Sequence, residues 1–395
     1  MNPVYVVAAV RTPIGRFRGA LAGVRADQLG AHALNELVAR AGVGPEAIDD
    51  VIFGCVTQIG EQSANIARTS LLGAGWPETI PAMTVDRKCG SSEAAIHIGA
   101  AQIAAGMSDL VVAGGAEAMS RVPMGSNRAI HGEAFGWQVS DRYELTSQGE
   151  AAERIADKYG FDRDALDDFA AESHRRAAAA SDAGYFRAET VAVPVADLCE
   201  KDWDGLRDSL EADQTIRRDT SREKLSTLKT SFRENGRITA GNASQISDGA
   251  AVVLLASEAA VRRFNLTPLA RIRATAVVGA DPTLMLEGPI AASRKAAAIA
   301  GLSFDDIALF EVNEAFASVP MMWMQATGVG ADRLNVNGGA IALGHPLGAT
   351  GARLATSLIH ELGRRGETYG LQAICCAGGL ATATLYENLM PRPAA

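Results

Sequence analysis

The sequence has few aromatic residues and no surplus of positive charge. Phe, Trp and Tyr make up 5% of its 395 residues, and the formal net charge is −9. A chain of this charge lacks the basic face that nonspecific nucleic-acid binding requires. Its 40 glycines, together with the sparse aromatics, are instead typical of an α/β protein with tight turns and close helix–sheet contacts.

Several other patterns are missing. No run approaches the roughly 18 uninterrupted apolar residues of a membrane-spanning helix. The N-terminal segment lacks the cationic region and apolar core of a secretory signal, so we expect a cytoplasmic protein. The five cysteines form no CxxC pair and the six histidines are scattered, which argues against a disulfide framework and against a zinc site.

Apolar strands alternate with helical segments along most of the chain, which predicts an α/β fold with parallel strand pairing. Residues 4–10 and 49–54 are expected to be strands, and the segment from Asp109 a buried strand ending in a glycine pair. Two segments, starting at Val85 and Gly344, share the order polar turn, helix, apolar strand and glycine pair. This likeness predicts an internal duplication.

The middle of the chain is more polar than its flanks. We interpret residues 120–249 as an inserted loop domain, residues 1–119 with 250–270 as an N-terminal half, and residues 271–395 as a C-terminal half. Within the insertion, residues 217–237 hold seven basic and three acidic side chains. That local reversal of charge fits either a solvated helix face or a site for an anionic ligand.

Cys89 lies at a predicted strand-to-helix turn in the segment VDRKCGSSEAA. The following helix is apolar on nearly every side, which predicts a position in the interior. A thiol at a helix start is near the positive end of the helix dipole, which lowers its pKa and makes it a better nucleophile. The alternative is a small buried side chain, as most free cysteines are. This stretch alone leaves both interpretations open.

Small residues also surround three other candidate groups. These are Asn313 with Glu314, His345 between Gly344 and Pro346, and Cys376 with Gly378. Because its neighbours are small, the His345 ring is expected to be accessible. Cys375 and Cys376 are adjacent, so in a strand they face opposite sides and only one would be reactive.

Two thiols, an imidazole and an amide suit acyl transfer through an enzyme thioester, with one thiol attacking a carbonyl and the other moving a proton. The glycine-rich segment NGGAIALG lacks the GxGxxG spacing of a dinucleotide loop. An NAD-dependent dehydrogenase is therefore disfavoured.

Five segments together resemble the signature segments of the thiolase superfamily. They are VDRKCGSS, AGNASQISDGAA, EVNEAF, GGAIALGHPLGATGAR and CCAGG, in the family's order. The ketoacyl synthases are similar around the first cysteine but have histidine or asparagine in place of the second. The resemblance implies an αβαβα five-layer fold of two duplicated halves with an inserted loop domain.

The resemblance also implies roles for the candidate residues. Cys89 is expected to become acylated, and His345 to activate it and to donate to the thioester oxyanion beside a water held on Asn313. Cys376 is expected to be the acid and base of carbon–carbon bond cleavage, and the backbone amides of Cys89 and Gly378 to form a second oxyanion hole. The residues expected to bind coenzyme A (CoA) are Arg217, Ser244, Met285 and Phe316. CoA is a co-substrate, and no metal or other cofactor is implied.

Departures from the family pattern concern the substrate. Ser92 stands where the family usually has Gly, and Ser147 and Gln148 stand where many acetoacetyl-CoA thiolases have His-Met. In addition, Leu286 and Glu287 replace small residues after Met285. These features favour a degradative 3-ketoacyl-CoA thiolase of fatty acid β-oxidation or other lipid degradation, including steroid and other bulky acyl chains.

Two alternatives stay open. One is a biosynthetic acetyl-CoA acetyltransferase that condenses two acetyl-CoA to acetoacetyl-CoA. The other, from a different class, is a noncatalytic CoA- or lipid-binding scaffold, although Cys89, His345 and Cys376 are all present. The expected partners are acyl-CoA, CoA and further copies of the chain in a homodimer or homotetramer, without nucleic acid or membrane.

Overall fold

The computed structural model describes residues 2–128, 130–199 and 209–391. Its strands are β1 Val4–Arg11, β2 Gly15–Arg16, β3 Asp50–Gly54, β4 Ala82–Val85, β5 Leu110–Ala118, β6 Ser247–Ser257, β7 Ala270–Gly279, β8 Leu309–Val312, β9 Tyr369–Cys376 and β10 Leu380–Asn388. Its helices are α1 Ala26–Ala41, α2 Ile66–Gly73, α3 Ser91–Ala104, α4 Trp137–Ser140, α5 Gln148–Tyr159, α6 Arg163–Asp182, α7 Val195–Leu198, α8 Arg222–Ser226, α9 Glu258–Arg263, α10 Gly288–Ala300, α11 Ser318–Thr327, α12 Ala340–Leu343 and α13 Thr350–Arg365. None of the helices in these ranges is both long enough and apolar enough to cross a bilayer.

The strands form two groups that meet at β1 and β7. The first group has the order β4-β3-β5-β6-β1 and the second the order β7-β10-β9-β8. They are joined through a short antiparallel pairing of Tyr5 and Val6 with Arg271 and Ala270. Each group carries one half of the chain's repeated pattern.

Strand pairing is mixed, which corrects the expectation of a parallel sheet. Strand β3 pairs in parallel with β4 and β5, and β8 pairs in parallel with β9. The pairs in the middle, including β5–β6, β1–β6 and β9–β10, are antiparallel. Strands β9 and β10 are joined by a turn of only three residues, and so short a connection permits antiparallel pairing alone.

Helices α3 and α13 lie between the two groups of strands. Helix α3 contacts β3, β5 and β6 on one side and β10 on the other, and α13 contacts β1 and β6 as well as β8 and β9. Helices α1 and α2 cover the outer face of the first group, and α10 covers the outer face of the second. The five layers expected from the resemblance are present, and the Cys89 helix is interior as its apolar surface predicts.

The inserted segment supplies helices that cover the second half. Helix α5 packs on α11, and α6 packs on α12, close to the loops that precede α13. Strand β5 also differs in one detail from expectation, because the glycine pair Gly114–Gly115 lies within the strand. A side chain at Gly115 would collide with the backbone of Gly348 and Gly54, so glycine lets a loop of the other half pack on this strand.

Candidate active site

Cys89 lies in the turn directly before α3. Lys88 has a left-handed backbone φ of 52°, which a non-glycine residue adopts mainly in tight turns. The turn is fixed by Asp86, which accepts from the Lys88 amide at 2.7 Å, and by Ser91 Oγ, which donates to the Lys88 carbonyl at 2.6 Å. It directs the thiol inward, and Cys89 is only 3% exposed.

Burial, rather than the helix dipole, decides the acidity of the Cys89 thiol. Burial raises the pKa of Cys89 to about 12, and its own backbone amide and the Gln148 side chain oppose the rise only in part. The expected net lowering of this pKa is therefore wrong, because the free energy of removing a thiolate from water exceeds its stabilisation by the helix dipole. At neutral pH, Cys89 is a thiol that needs a base.

Cys376 reaches the start of α3 from the second half of the molecule. A Cβ built on Gly90 would lie 2.7 Å from Cys376 Sγ and 2.8 Å from Thr382 Oγ1, so glycine permits this approach. Burial and the nearby Cys89 raise the pKa of the Cys376 thiol well above its usual value. Cys375 faces the opposite side of β9, in the apolar core of the second half.

Gly378 lies two residues after Cys376, in the turn between β9 and β10. Its backbone φ of 86° lies in the left-handed region that favours glycine. The adjacent Ala377 lines the same cavity as Cys89. The structure thus places Gly378, Cys376 and Cys89 in one region.

The contacts of His345 define its protonation state. Thr350 Oγ1 donates to the Pro346 carbonyl at 2.9 Å and lies 2.6 Å from His345 Nδ1. Because that hydroxyl hydrogen is already used, Nδ1 carries the ring proton and donates it to Thr350. Nε2 then bears a lone pair, which faces Asn313 Nδ2 at 3.4 Å.

The His345 ring is a neutral base. It is 4% exposed, so the expectation of an accessible ring is wrong with respect to bulk solvent, although the ring lines a large cavity. Burial lowers the pKa of His345 to about 3, which leaves the ring uncharged at pH 7. Asn313 Oδ1 is buried and accepts no hydrogen bond from the part of the chain that the structure describes.

Two adjoining cavities meet at these groups. The larger, of about 780 Å³, is lined by His345, and the smaller, of about 30 Å³, is lined by Cys89. Met124, Gln148 and Leu347 line both cavities. Cys89 and His345 therefore face a shared space from two sides.

Three of the four residues expected to bind CoA line the larger cavity, namely Arg217, Ser244 and Phe316. The structure does not place Met285 there. Its side chain is 6% exposed and packs in the apolar core of the second half, and its backbone φ is 53°. The turn before α10 directs this side chain inward, away from the cavity.

The residues that depart from the family pattern have different surroundings. Ser92 Oγ accepts from the Ala352 amide at 3.0 Å, so it joins α3 to α13. Ser147 caps α5, and Gln148 lines both cavities beside Cys89. Gln148 is thus the one of the three that the structure places against the reacting thiol.

Glu117 is a site residue that the sequence interpretation missed. This buried carboxylate accepts from the amides of Val56, Thr57 and Gly348, each at 2.9 Å. It ties the loop after β3 to the loop that follows His345. The available signal was a lone charged residue in the apolar run LVVAGGAEA.

Glu93 is a second buried acid that was missed. Its carboxylate accepts from the hydroxyls of Thr382 and Thr384, and His97 Nε2 lies 2.8 Å from Thr384 Oγ1. Burial raises the pKa of Glu93 to about 7. The carboxylate connects the first turn of α3, next to Cys89, with the strand that pairs with the end of β9.

Residues 4–259 match the thiolase N-terminal domain, and residues 266–388 match the thiolase C-terminal domain. The chain belongs to the thiolase family. As a thiolase it is an acyltransferase, and the resemblance and the α/β fold inferred from the sequence are confirmed.

This thiolase is similar over nearly its whole length to proteins of differing names. It is 46% identical to a steroid 3-ketoacyl-CoA thiolase of Mycobacterium tuberculosis, covering 98% of the chain and 95% of that protein. It is 42% identical to an acetyl-CoA acetyltransferase of Chromobacterium violaceum, covering 98% and 99%. The solved structure of human mitochondrial 3-ketoacyl-CoA thiolase in complex with CoA matches with a TM-score of 0.87 and 37% identity, covering 98% of each chain.

Proposed function

We propose that this thiolase cleaves a 3-ketoacyl-CoA with free CoA to acetyl-CoA and a shortened acyl-CoA, through an acyl group on Cys89. The observation that carries the proposal is that two buried thiols, Cys89 and Cys376, share one cluster beside the cavity lined by a neutral His345, whose Nε2 carries no proton and faces Asn313 Nδ2. The name of the mycobacterial relative supports a degradative substrate.

In the first half-reaction, His345 Nε2 takes the Cys89 proton as the sulfur attacks the C3 carbonyl carbon. The backbone amides of Cys89 and Gly378 hold the resulting oxyanion. The C2–C3 bond then breaks, its electron pair moves to C2, and the Cys376 thiol protonates C2 to release acetyl-CoA. The protonated His345, with a water on Asn313, donates to the enolate oxygen during this step.

In the second half-reaction, the Cys376 thiolate takes the proton of an incoming CoA thiol. The CoA sulfur attacks the thioester carbonyl carbon, and the bond from that carbon to Cys89 breaks. Cys89 leaves as a thiolate and recovers its proton from His345, which restores the starting state. Every proton transfer uses a side chain of the chain itself, and we propose CoA as co-substrate without a metal or further cofactor.

A biosynthetic role is the second candidate, because an acetyl-CoA acetyltransferase is also a relative at 42% identity. It uses the same steps in reverse, with Cys376 deprotonating acetyl-CoA. Ser147 and Gln148 stand where many acetoacetyl-CoA thiolases have His-Met. This difference favours the degradative direction. Rates of both directions with acetoacetyl-CoA and acetyl-CoA separate the two.

We further propose a cytoplasmic enzyme of lipid degradation that assembles as a homodimer or homotetramer. Strand β4 supports self-association, because within the described residues it pairs only with β3. Its residues Ala82–Val85 are partly exposed, and an open strand edge offers backbone donors and acceptors to a second chain.

The acyl intermediate is tested by intact-mass measurement. After incubation with acetoacetyl-CoA, the wild-type chain should gain one acetyl group, and Cys89→Ala should gain none. Cys375→Ala is the matched control, since it removes another buried thiol that faces away from the site, and it should still acylate. An adduct that persists in Cys89→Ala would refute the assignment, and a noncatalytic scaffold would show no adduct in any variant.

The second thiol is tested by Cys376→Ser. This variant should still acylate on Cys89 but turn over at least about 100-fold more slowly, because a hydroxyl is a far weaker acid than a thiol and general acid–base steps contribute about 10²–10⁴-fold. Steady-state thiolysis measures the loss. Full turnover would show that another group moves the proton.

A further inference from the structure

Cys89 lines the smaller cavity, yet the proposed steps use few of the other residues of its wall. The apolar residues on its wall include Val56, Met124 and Leu347, and the polar ones are Thr57, Lys88, Asn127, Arg128 and Gln148. Thr57 is fully buried, whereas Asn127 and Arg128 are exposed. These two residues and Met124, which is 54% exposed, mark the outer mouth of this cavity.

Arg128 is the cation at the mouth that lacks a counter-charge. Lys88 Nζ lies 2.5 Å from Asp86 Oδ2, so its charge is already balanced. Among residues 2–128, 130–199 and 209–391, no carboxylate pairs with the Arg128 guanidinium. Asn127 Nδ2 donates to the Val56 carbonyl at 3.3 Å, which holds the preceding residue against the cavity wall. An anion at the mouth would therefore lie beside the unbalanced charge of Arg128.

The size of the cavity limits what it can bury. Its volume of about 30 Å³ is far smaller than the 780 Å³ of the cavity that it adjoins. Because three residues expected to bind CoA line that larger cavity, the exposed mouth is the remaining path for the rest of the acyl group. A long hydrocarbon end would there remain beside water and a charged side chain, which gives it little hydrophobic stabilisation.

We infer that the acyl group accepted by Cys89 bears a carboxylate at its far end, which Arg128 binds at the mouth of the smaller cavity. The substrate class is then the CoA thioester of a 3-keto dicarboxylic acid. A guanidinium suits this role because its planar donors match the two oxygens of a carboxylate. The inference rests on the proposed thiolysis and narrows its substrate.

The test compares matched substrates that differ only at the far end. Thiolysis is measured for 3-ketoacyl-CoA thioesters of six, eight and ten carbons, each ending in either a carboxylate or a methyl group. At the length that reaches Arg128, the carboxylate member should have a kcat/KM about fivefold higher, which corresponds to the roughly 1 kcal/mol of a well-placed exposed ion pair. Raising the salt concentration should reduce this preference.

Two variants test whether Arg128 causes the preference for the carboxylate substrate. In Arg128→Gln, the ratio of carboxylate to methyl substrate should fall to about one at every length. Arg142→Gln makes the same charge change in the same inserted segment at an exposed residue outside the cavity lining, and it should keep the wild-type ratio. Ratios are taken within each variant, so a general loss of active enzyme does not affect them.

The outcomes separate the inference from the function beneath it. Equal or faster cleavage of the methyl substrates by wild type at all three lengths, or a preference that survives in Arg128→Gln, overturns the inference. A preference of wild type for bulky polycyclic thioesters over both the carboxylate and the methyl substrates also overturns the inference. Failure of acetoacetyl-CoA to acylate Cys89 would instead overturn the proposed thiolase activity.

Discussion

The reacting groups of the site are each held in their neutral form by burial. The pKa of Cys89 is raised to about 12, and that of His345 is lowered to about 3. Transfer of the Cys89 proton to His345 therefore creates two charges side by side in a site shielded from water. Such a transfer becomes favourable only as the sulfur attacks a carbonyl and passes its charge to an oxyanion held by backbone amides.

The tautomer of His345 depends on Thr350. In Thr350→Val the acceptor for the Nδ1 proton is lost, so the proton can move to Nε2, where it blocks base catalysis. We expect Cys89 acylation to slow about 10- to 100-fold, measured by rapid quench and mass spectrometry. Thr356→Val in the same helix is the control, because its buried hydroxyl has no hydrogen-bond partner in the described structure, and acylation should be unchanged. Equal rates in both variants would show that Thr350 does not set the tautomer.

Helix α3 and strand β10 are joined by one buried carboxylate. Glu93 accepts from Thr382 and Thr384, and thereby holds the turn with Cys89 against the hairpin with Cys376. The unfolded pKa of a glutamate is about 4.5 and the folded pKa of Glu93 is about 7. Between these values the folded state binds more protons, so stability falls as pH rises through the window and the loss is complete above it.

Glu93→Gln tests this linkage because the amide cannot ionise. Relative to wild type, the free energy of unfolding of the variant should rise by up to about 3 kcal/mol from pH 4.5 to pH 8. Because His97 Nε2 lies 3.8 Å from Glu93 Oε1, the measured difference also includes any change in the proton affinity of His97. Urea unfolding at fixed protein concentration measures the difference, with Glu234→Gln at an exposed position as control. A difference independent of pH would mean that Glu93 is ionised throughout.

The molecule as a whole depends on contacts between its two halves. Glu117 of the first half accepts from Gly348 of the second as well as from Val56 and Thr57 beside it. Because Gly348 lies three residues after His345, this carboxylate also fixes the loop that carries the base. The active site and the junction of the halves are therefore stabilised by the same side chain.

Glu117→Gln should weaken both the active site and the junction between the two halves. The amide nitrogen of the new side chain would face at least one backbone donor, and each unsatisfied buried donor costs about 1–3 kcal/mol. We expect a melting temperature several degrees lower and a reduced kcat, measured by circular dichroism and steady-state thiolysis. Glu234→Gln serves again as the exposed control. An unchanged melting temperature would show that the loops are held by other contacts.

The sequence by itself determined the features that depend on local pattern. Alternating apolar and helical segments indicated β1, β3, α3 and α13, because strand and helix periodicity is set by neighbouring residues. The adjacent pair Cys375 and Cys376 was divided correctly between two faces for the same reason. The signature segments sufficed to indicate the family and its five-layer fold.

Tertiary structure decided what depends on distant residues. The pKa of Cys89, the burial of His345 and the inward position of Met285 follow from packing by elements far away in the chain. Glu117 accepts hydrogen bonds from amides that are 61 and 231 residues away in the sequence, and no local sequence pattern indicates such partners. Antiparallel pairing in the middle of the sheets likewise follows from the direction in which each later strand enters the sheet. Desolvation and long-range hydrogen bonds exist only once the chain has folded, which is why these properties could not be predicted.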